Sequence, residues 1–169
     1  MKTHPQAHEG MSHVAEKIEG QRVAMLTLLE PPAGLSARPM TPIEMDSQGA
    51  IWIMTSKKSL IDLIGPEGEA VNLAFSDEGD STYVSIAGVG HLIDDKARKE
   101  ELWSPMGRPW FDGPTDPDYT LLKVTPTRAE IWDGPNSSVV RLLGMAASVV
   151  AGKQIGMGDK EVIDAPKAR

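Results

Sequence analysis

The stretch LSARPMTPIEMDSQGAIWIMTSKKSLIDLI, residues 35–64, gathers residue types that hold an anion. Arg38 stands in an otherwise small, apolar run. Thr55, Ser56, Lys57, Lys58 and Ser59 follow directly on the apolar segment AIWIMT. An arginine offers a planar fork of donors, a lysine supplies a point charge, and hydroxyls give direction. If SLIDLI opens a short helix, Thr55, Ser56 and Ser59 lie at its mouth, where backbone donors also favour an anion. A phosphate suits such a set. The same residues also read as a surface turn with ordinary lysines and an N-cap serine.

Aromatic residues supply a second hint. A flat apolar ring system binds well between aromatic and aliphatic walls. Of the four tryptophans, Trp52 and Trp132 fall in predicted strands and read as core, while Trp110 and Phe111 fall in the Pro-rich loop SPMGRPWFDGPTDPDY. Long loops in small domains are often functional. Aromatics there must bury against the fold, a partner subunit or a ligand.

No set of protein side chains suggests chemistry of its own. The chain has no cysteine, which removes disulfides, thiolate metal ligands and a thiol nucleophile together. It has no Gly-x-Ser-x-Gly elbow, Walker loop or His-Glu-x-x-His. GVGHLI lacks the third glycine of a dinucleotide fingerprint, and Asp94 and Asp95 read as a helix start. His4, His8 and His13 come without a carboxylate pattern of metal-site type, and His91 reads as a structural histidine at a strand end. Reactivity, if present, would come from a cofactor.

The elements that must position these residues can be read from periodicity. Met11, Val14, Ala15 and Ile18 fall at i, i+3, i+4 and i+7, one helix face. RVAMLTLL, AIWIMT, AVNLAFS and TYVSIAGVGHLI read as strands, the last with a bulge at Gly88 or Gly90. Pro39 and Pro42 keep LSARPMTPIEM extended and irregular. DKARKEELW reads as a helix capped by Asp94, TLLKVTP and RAEIWD as two strands split by TPT, and residues 139–151 as a helix. Regular turn signals favour an antiparallel barrel over a parallel sheet. Residues 1–8 read as a loose tail, 9–152 as one domain and 153–169 as a C-terminal tail.

The 169 residues suffice for one cored domain. A net charge of −7 argues against a general nucleic-acid binder, which needs a basic surface. No window approaches eighteen continuous apolar residues, and the N-terminus lacks the apolar core of a signal peptide. A cytoplasmic protein without membrane or nucleic-acid partners is the expectation.

The segments MLTL, ARPM, IWIMTSKKS, VNLAFSD, YVSIAGVG, LWSP, RPWF, DPDYTLLKVTPTRAEIWD and VVRLLGMA come in the order and spacing of a known family. Over roughly residues 14–147 the chain resembles the general-stress-protein subgroup of the pyridoxamine 5'-phosphate oxidase-like, flavin-binding split-barrel superfamily. The resemblance implies a mainly β fold with peripheral helices, a six-stranded antiparallel Greek-key split barrel. It implies a homodimer with FMN at the interface, FAD being the other candidate. Carried over, Arg38, Pro39 and Met40 would line the flavin, and Trp52 and Thr55 would lie on the next strand. Ser56, Lys57 and Ser59 would lie at the phosphate, Trp110 and Phe111 would cover the site, and Trp132 would sit near the ring edge. The implied activity is a flavin-dependent oxidoreductase of unknown substrate. Its alternatives are a non-catalytic flavin store or sensor, and a barrel that has lost flavin and serves as an interaction module.

Two departures bear on cofactor binding. Where relatives carry a lysine six residues after the threonine matched by Thr55, this chain has Ile61. Leu28 replaces the second of two threonines after Met25-Leu26. Loss of one charged phosphate contact costs about 1.5–3 kcal/mol, roughly ten- to a hundredfold in affinity. EVIDAPKAR also lacks the arginine-rich terminus of true pyridoxamine phosphate oxidases, so vitamin B6 oxidation is not expected.

Overall fold

A computed structural model of the chain describes residues 1–134 and 159–165. The first elements are β1 (Lys2–Thr3), α1 (Glu9–Ile18), β2 (Ala24–Glu30), β3 (Gly34–Met40), β4 (Pro42–Met45), β5 (Ile51–Ser56) and α2 (Lys57–Leu60). There follow β6 (Glu69–Asp77), β7 (Thr82–Ile93), α3 (Lys96–Glu101), β8 (Tyr119–Asp133) and β9 (Asp159–Asp164). The helix expected over residues 139–151 lies outside the described residues.

Periodicity explains most of these elements. In α1 the stripe Met11, Val14, Ala15 and Ile18 is buried as its spacing requires. On β6, Val71, Leu73 and Phe75 face the core while Ala70 and Ala74 face out. The strands form a single sheet in the order β1-β4-β5-β8-β7-β6-β2-β3, with β9 also paired to β8. Except for the parallel β1–β4 contact, every pairing is antiparallel.

The long strand β8 organises the sheet. β7 runs along one edge of it, and on the other edge its first residues pair with β5 and its last with β9. Only Thr41 separates β3 from β4, so one stretch of chain pairs with β2 at its start and with β5 at its end. The hydrogen-bonded ladder stays open, and Thr41 links β3, at one end, to β4, the strand beside β1 at the other.

The fold is mainly β with few helices, but the expected strand number and several boundaries need correction. Among the described residues there are nine strands in an open ladder, against the six of the expected Greek-key split barrel. Two of the additional strands lie in segments expected to be tails. Lys2 and Thr3 pair with Glu44 and Met45, and residues 159–164 pair with 128–133, burying Ile163. Proline, which cannot donate to a ladder, divides β3 from β4 at Pro42.

At Pro126 the opposite happens, since TLLKVTP and RAEIWD run on as one strand. Ala87 pairs with Arg128 and Gly88 with Pro126, so Thr127 is the extra residue and β8, not β7, carries the bulge. A Cβ at Gly88 would lie 2.4 Å from the Thr125 carbonyl oxygen, so only glycine fits there. Asp95, not Asp94, caps α3, accepting the Arg98 N–H at 2.7 Å. Asp94 instead pairs with the Lys99 and Lys57 ammonium groups.

Two apolar clusters hold the sheet. The larger packs α1 against Leu26, Leu28, Ile51, Ile53, Leu73, Ile86 and neighbouring residues. The smaller joins Trp52, Leu102, Phe111, Tyr119 and Leu121. Each such side chain, fully buried, contributes about 1.5–3 kcal/mol. The smaller cluster matters most for function, because it fixes the loop that follows α3.

Candidate functional site

Three segments converge at the end of β5. Pro39, Met40 and Thr41 come from the β3–β4 junction, and Met54, Thr55 and Ser56 from β5 itself. Met106, Pro109, Trp110, Phe111 and Asp118 come from the loop before β8. Together they enclose a cavity of about 530 Å³, within the usual range for a small-molecule site. Its walls are methionine, proline and aromatic surface. The Thr41 and Thr55 hydroxyls make no hydrogen bond among the described residues, which leaves them available to a ligand.

The loop is held by local geometry rather than by regular structure. Residues Pro105–Gly107 form a 3-10 turn, with the Met106 N–H bonded to Ser104 Oγ at 3.4 Å. The Gly107 carbonyl accepts N–H groups from Trp110 and Phe111, both at 3.0 Å. A side chain at Gly107 would strike Met54 Sδ and the Trp103 ring. Phe111 turns into the core, its ring 5.3 Å from that of Tyr119. Trp110 points the other way and is 74% exposed, an unusual state for so large an apolar side chain. Asp116 closes the loop by accepting the N–H groups of Asp112 at 2.9 Å and Asp118 at 2.8 Å.

Sequence reading missed five of the lining residues, Thr41, Met54, Met106, Pro109 and Asp118, and Asp118 is the one of these five that carries a charge. Its Oδ2 accepts the Ser56 hydroxyl at 2.8 Å, and its Oδ1 accepts the Lys58 N–H at 3.0 Å. Its carbonyl accepts the Lys57 N–H at 2.7 Å. The Lys58 N–H bond, then the Ser56 hydroxyl, hold its carboxyl below the usual range, with the Lys58 charge assisting. Asp118 also borders a second cavity of about 250 Å³, lined by Lys57, Lys58, Ile61 and Pro117. The only sequence signal was its place in the acidic turn TDPDY.

The other expected site residues divide into three groups. Pro39, Met40, Thr55, Ser56, Trp110 and Phe111 all line the larger cavity. Arg38, Lys57 and Ser59 lie nearby but are committed elsewhere. Arg38 pairs with Glu30, donates to Ser36 Oγ at 3.1 Å and reaches the Ser59 carbonyl at 3.4 Å. Lys57 Nζ pairs with Asp94 at 3.1 Å, and Ser59 Oγ donates to the Ser56 carbonyl at 2.8 Å.

Two tryptophans lie outside the cavity wall. Trp52 is buried in the smaller cluster, its Nε1–H bonded to Asp46 at 2.8 Å and its ring under the Arg98 guanidinium at 4.5 Å. Trp132 stands between Tyr83 and Lys160 at the far end of β8 from Tyr119. Thirteen residues of extended chain separate those ends, roughly 40 Å. Within the chain, Trp132 therefore does not reach the cavity.

Comparison with known proteins places this architecture. Residues 9–156 match the family described as pyridoxamine 5'-phosphate oxidase like. The chain belongs to that family. General stress protein 26 of Bacillus subtilis (strain 168) is 28% identical over 60 residues, a stretch covering 36% of this chain and 43% of that protein. The chain thus spans less than half the length of that relative. The structure of the general stress FMN/FAD binding protein from Xanthomonas citri is 38% identical, covers 77% of this chain and 91% of its own, and superposes with a TM-score of 0.65. A structure described as a general stress protein 26, from Jannaschia sp. CCS1, is 28% identical, covers 88% of this chain and 94% of its own, and has a TM-score of 0.69. No helix among the described residues is long and apolar enough to cross a membrane.

Proposed function

We propose that this member of the pyridoxamine 5'-phosphate oxidase-like family binds a flavin mononucleotide-type cofactor in the 530 Å³ cavity. The observation that carries this reading is Trp110, held exposed on the cavity wall opposite methionine and proline surface. Such walls suit a flat isoalloxazine ring, and the Xanthomonas citri relative is named for FMN/FAD binding. The Thr55 and Thr41 hydroxyls would meet polar atoms of the ligand. Bound flavin would supply hydride and electron transfer, while the protein supplies placement and exclusion of water.

An exposed apolar face supports a homodimer. On the outer side of the sheet, Leu35 opposes Leu29, and Pro39 opposes Met25. Tyr83 and Trp132 continue this face on β7 and β8. Leu35 is 77% exposed, and so extended an apolar surface calls for a partner. Pro39 belongs both to this face and to the cavity wall, so a second copy docked here would cover the open side of the site.

The reaction class is a flavin-dependent oxidoreduction. A non-catalytic store or sensor is the second reading, favoured by one observation: among the described residues Asp118 is the only ionisable side chain lining the larger cavity, and Ser56 and Lys58 already engage both its oxygens. Titration of the purified chain with flavin, followed by anaerobic reduction with a nicotinamide donor, separates the two. Stoichiometric binding with turnover of a dye acceptor supports the oxidoreductase. Binding without turnover supports the sensor, and no binding at hundreds of micromolar removes both.

A further inference from the structure

We propose that this site recognises the ring of its flavin and is nearly indifferent to the phosphate, because carboxylates of the same chain already occupy the donors that a phosphate would need. This inference rests on the flavin reading above and names the ligand preference of that site.

Among the described residues, the donors suited to an anion have internal partners, the Lys58 ammonium excepted. The Arg38 guanidinium is taken by Glu30, which also accepts the Ser36 hydroxyl at 2.6 Å. The Lys57 ammonium is taken by Asp94 at 3.1 Å. The Ser56 hydroxyl and the Lys58 N–H both donate to Asp118, at 2.8 and 3.0 Å. Ser59 donates to a backbone carbonyl, and Ile61 offers the small cavity only an apolar side chain.

The Lys58 ammonium remains. It is exposed and makes no direct ion pair among the described residues, yet it acts on both Asp116 and Asp118. A phosphate placed here would lie beside the Asp118 carboxylate, so like-charge repulsion offsets the attraction of the lysine. To gain the Ser56 and Lys58 donors it would have to displace that carboxylate. In the ring cavity the Asp118 carboxylate is already engaged by Ser56 and Lys58, and the Thr41 and Thr55 hydroxyls and apolar walls suit a neutral flat group. The chemical class favoured is therefore a flavin whose side chain need not be phosphorylated.

Parallel calorimetric titrations of the full chain with riboflavin and with FMN test this. The expected result is less than tenfold preference for FMN in the natural sequence. Glu30→Gln, by loosening the hold on Arg38, and Asp118→Asn, by removing the charge that repels a phosphate, each raise the ratio of FMN to riboflavin affinity about tenfold or more. The ratio is taken within each variant because Asp118 also lines the ring cavity. Riboflavin binding serves as the control for an intact fold. A natural chain that prefers FMN by tenfold or more overturns the proposal, whatever the variants do. So does a preference that stays at its natural value in both variants while riboflavin still binds. If neither flavin binds the natural chain, the flavin reading itself falls and this inference with it, an outcome distinct from the other two because riboflavin binding is then lost.

Discussion

The Ser56 hydroxyl donates to Asp118 Oδ2 at 2.8 Å, joining the end of β5 to the start of β8 across 62 residues of sequence. With the Lys58 N–H on the other oxygen, this contact ties the aromatic loop to the strand that forms the opposite wall. Ser56→Ala should therefore loosen the loop as well as alter the site. The expected outcome is faster limited proteolysis between residues 104 and 118, with cleavage elsewhere unchanged. Equal protection in both proteins would show that Asp116 and Phe111 alone hold the loop.

Trp110 and Phe111 are neighbours with opposite duties. Trp110→Ala removes an exposed wall and should change stability by no more than about 0.5 kcal/mol, while weakening flavin binding about tenfold. Phe111→Ala empties part of the smaller cluster and should cost about 3 kcal/mol. Urea denaturation and flavin titration of both variants check the contrast. Equal loss of stability would mean that Trp110 is a packing residue.

Gly88→Ala places a methyl group 2.4 Å from the Thr125 carbonyl oxygen. Because the obstacle is backbone, β7 and β8 must move apart at the bulge. A loss of about 1–3 kcal/mol is expected, read from the midpoint of urea unfolding. Gly34→Ala makes a useful comparison, since nothing lies within 4 Å of a Cβ there and only its φ of 90° opposes the change.

Asp94 predicts a pH dependence. Hydrogen bonds from Lys99, then Lys57, hold its carboxyl below the usual range in the folded chain. As pH falls, the unfolded chain takes up this proton first. The stabilisation is therefore full above about pH 4 and is lost as pH drops through the lower folded value. Asp94→Asn should cost about 1 kcal/mol at neutral pH, a modest figure because the carboxylate is half exposed. Its stability deficit should close below about pH 4. A deficit that is constant down to pH 2 would contradict the assignment.

Dimerisation through the outer sheet face is testable without ligand. Leu35→Glu puts a charge on the most exposed apolar residue of β3 and should convert a dimer to monomer on light scattering, with circular dichroism unchanged. A natural chain that is already monomeric would remove the dimer from the functional proposal.

The sequence by itself determined the local structure. A period of 3.6 over Met11, Val14, Ala15 and Ile18 can bury only one helix face, and alternation along AVNLAFS can bury only one strand face. Six of the cavity-lining residues were legible from their types and from the order of family segments. β1 and β9 were not, since two or six residues of mixed character become strands only when a neighbouring edge is free to pair.

The tertiary structure decided how the charges are used. With 17 cations and 24 acids in the chain, residue types alone cannot say that Arg38 goes to Glu30, Lys57 to Asp94, or Ser56 to Asp118. Those pairings depend on hairpin register and on where the loop before β8 returns to β5. The same long-range geometry carried Trp132 to the far end of β8 and left Trp110 on the cavity wall. Short-range periodicity sets which way a side chain faces. Only the closure of distant segments sets what it meets there.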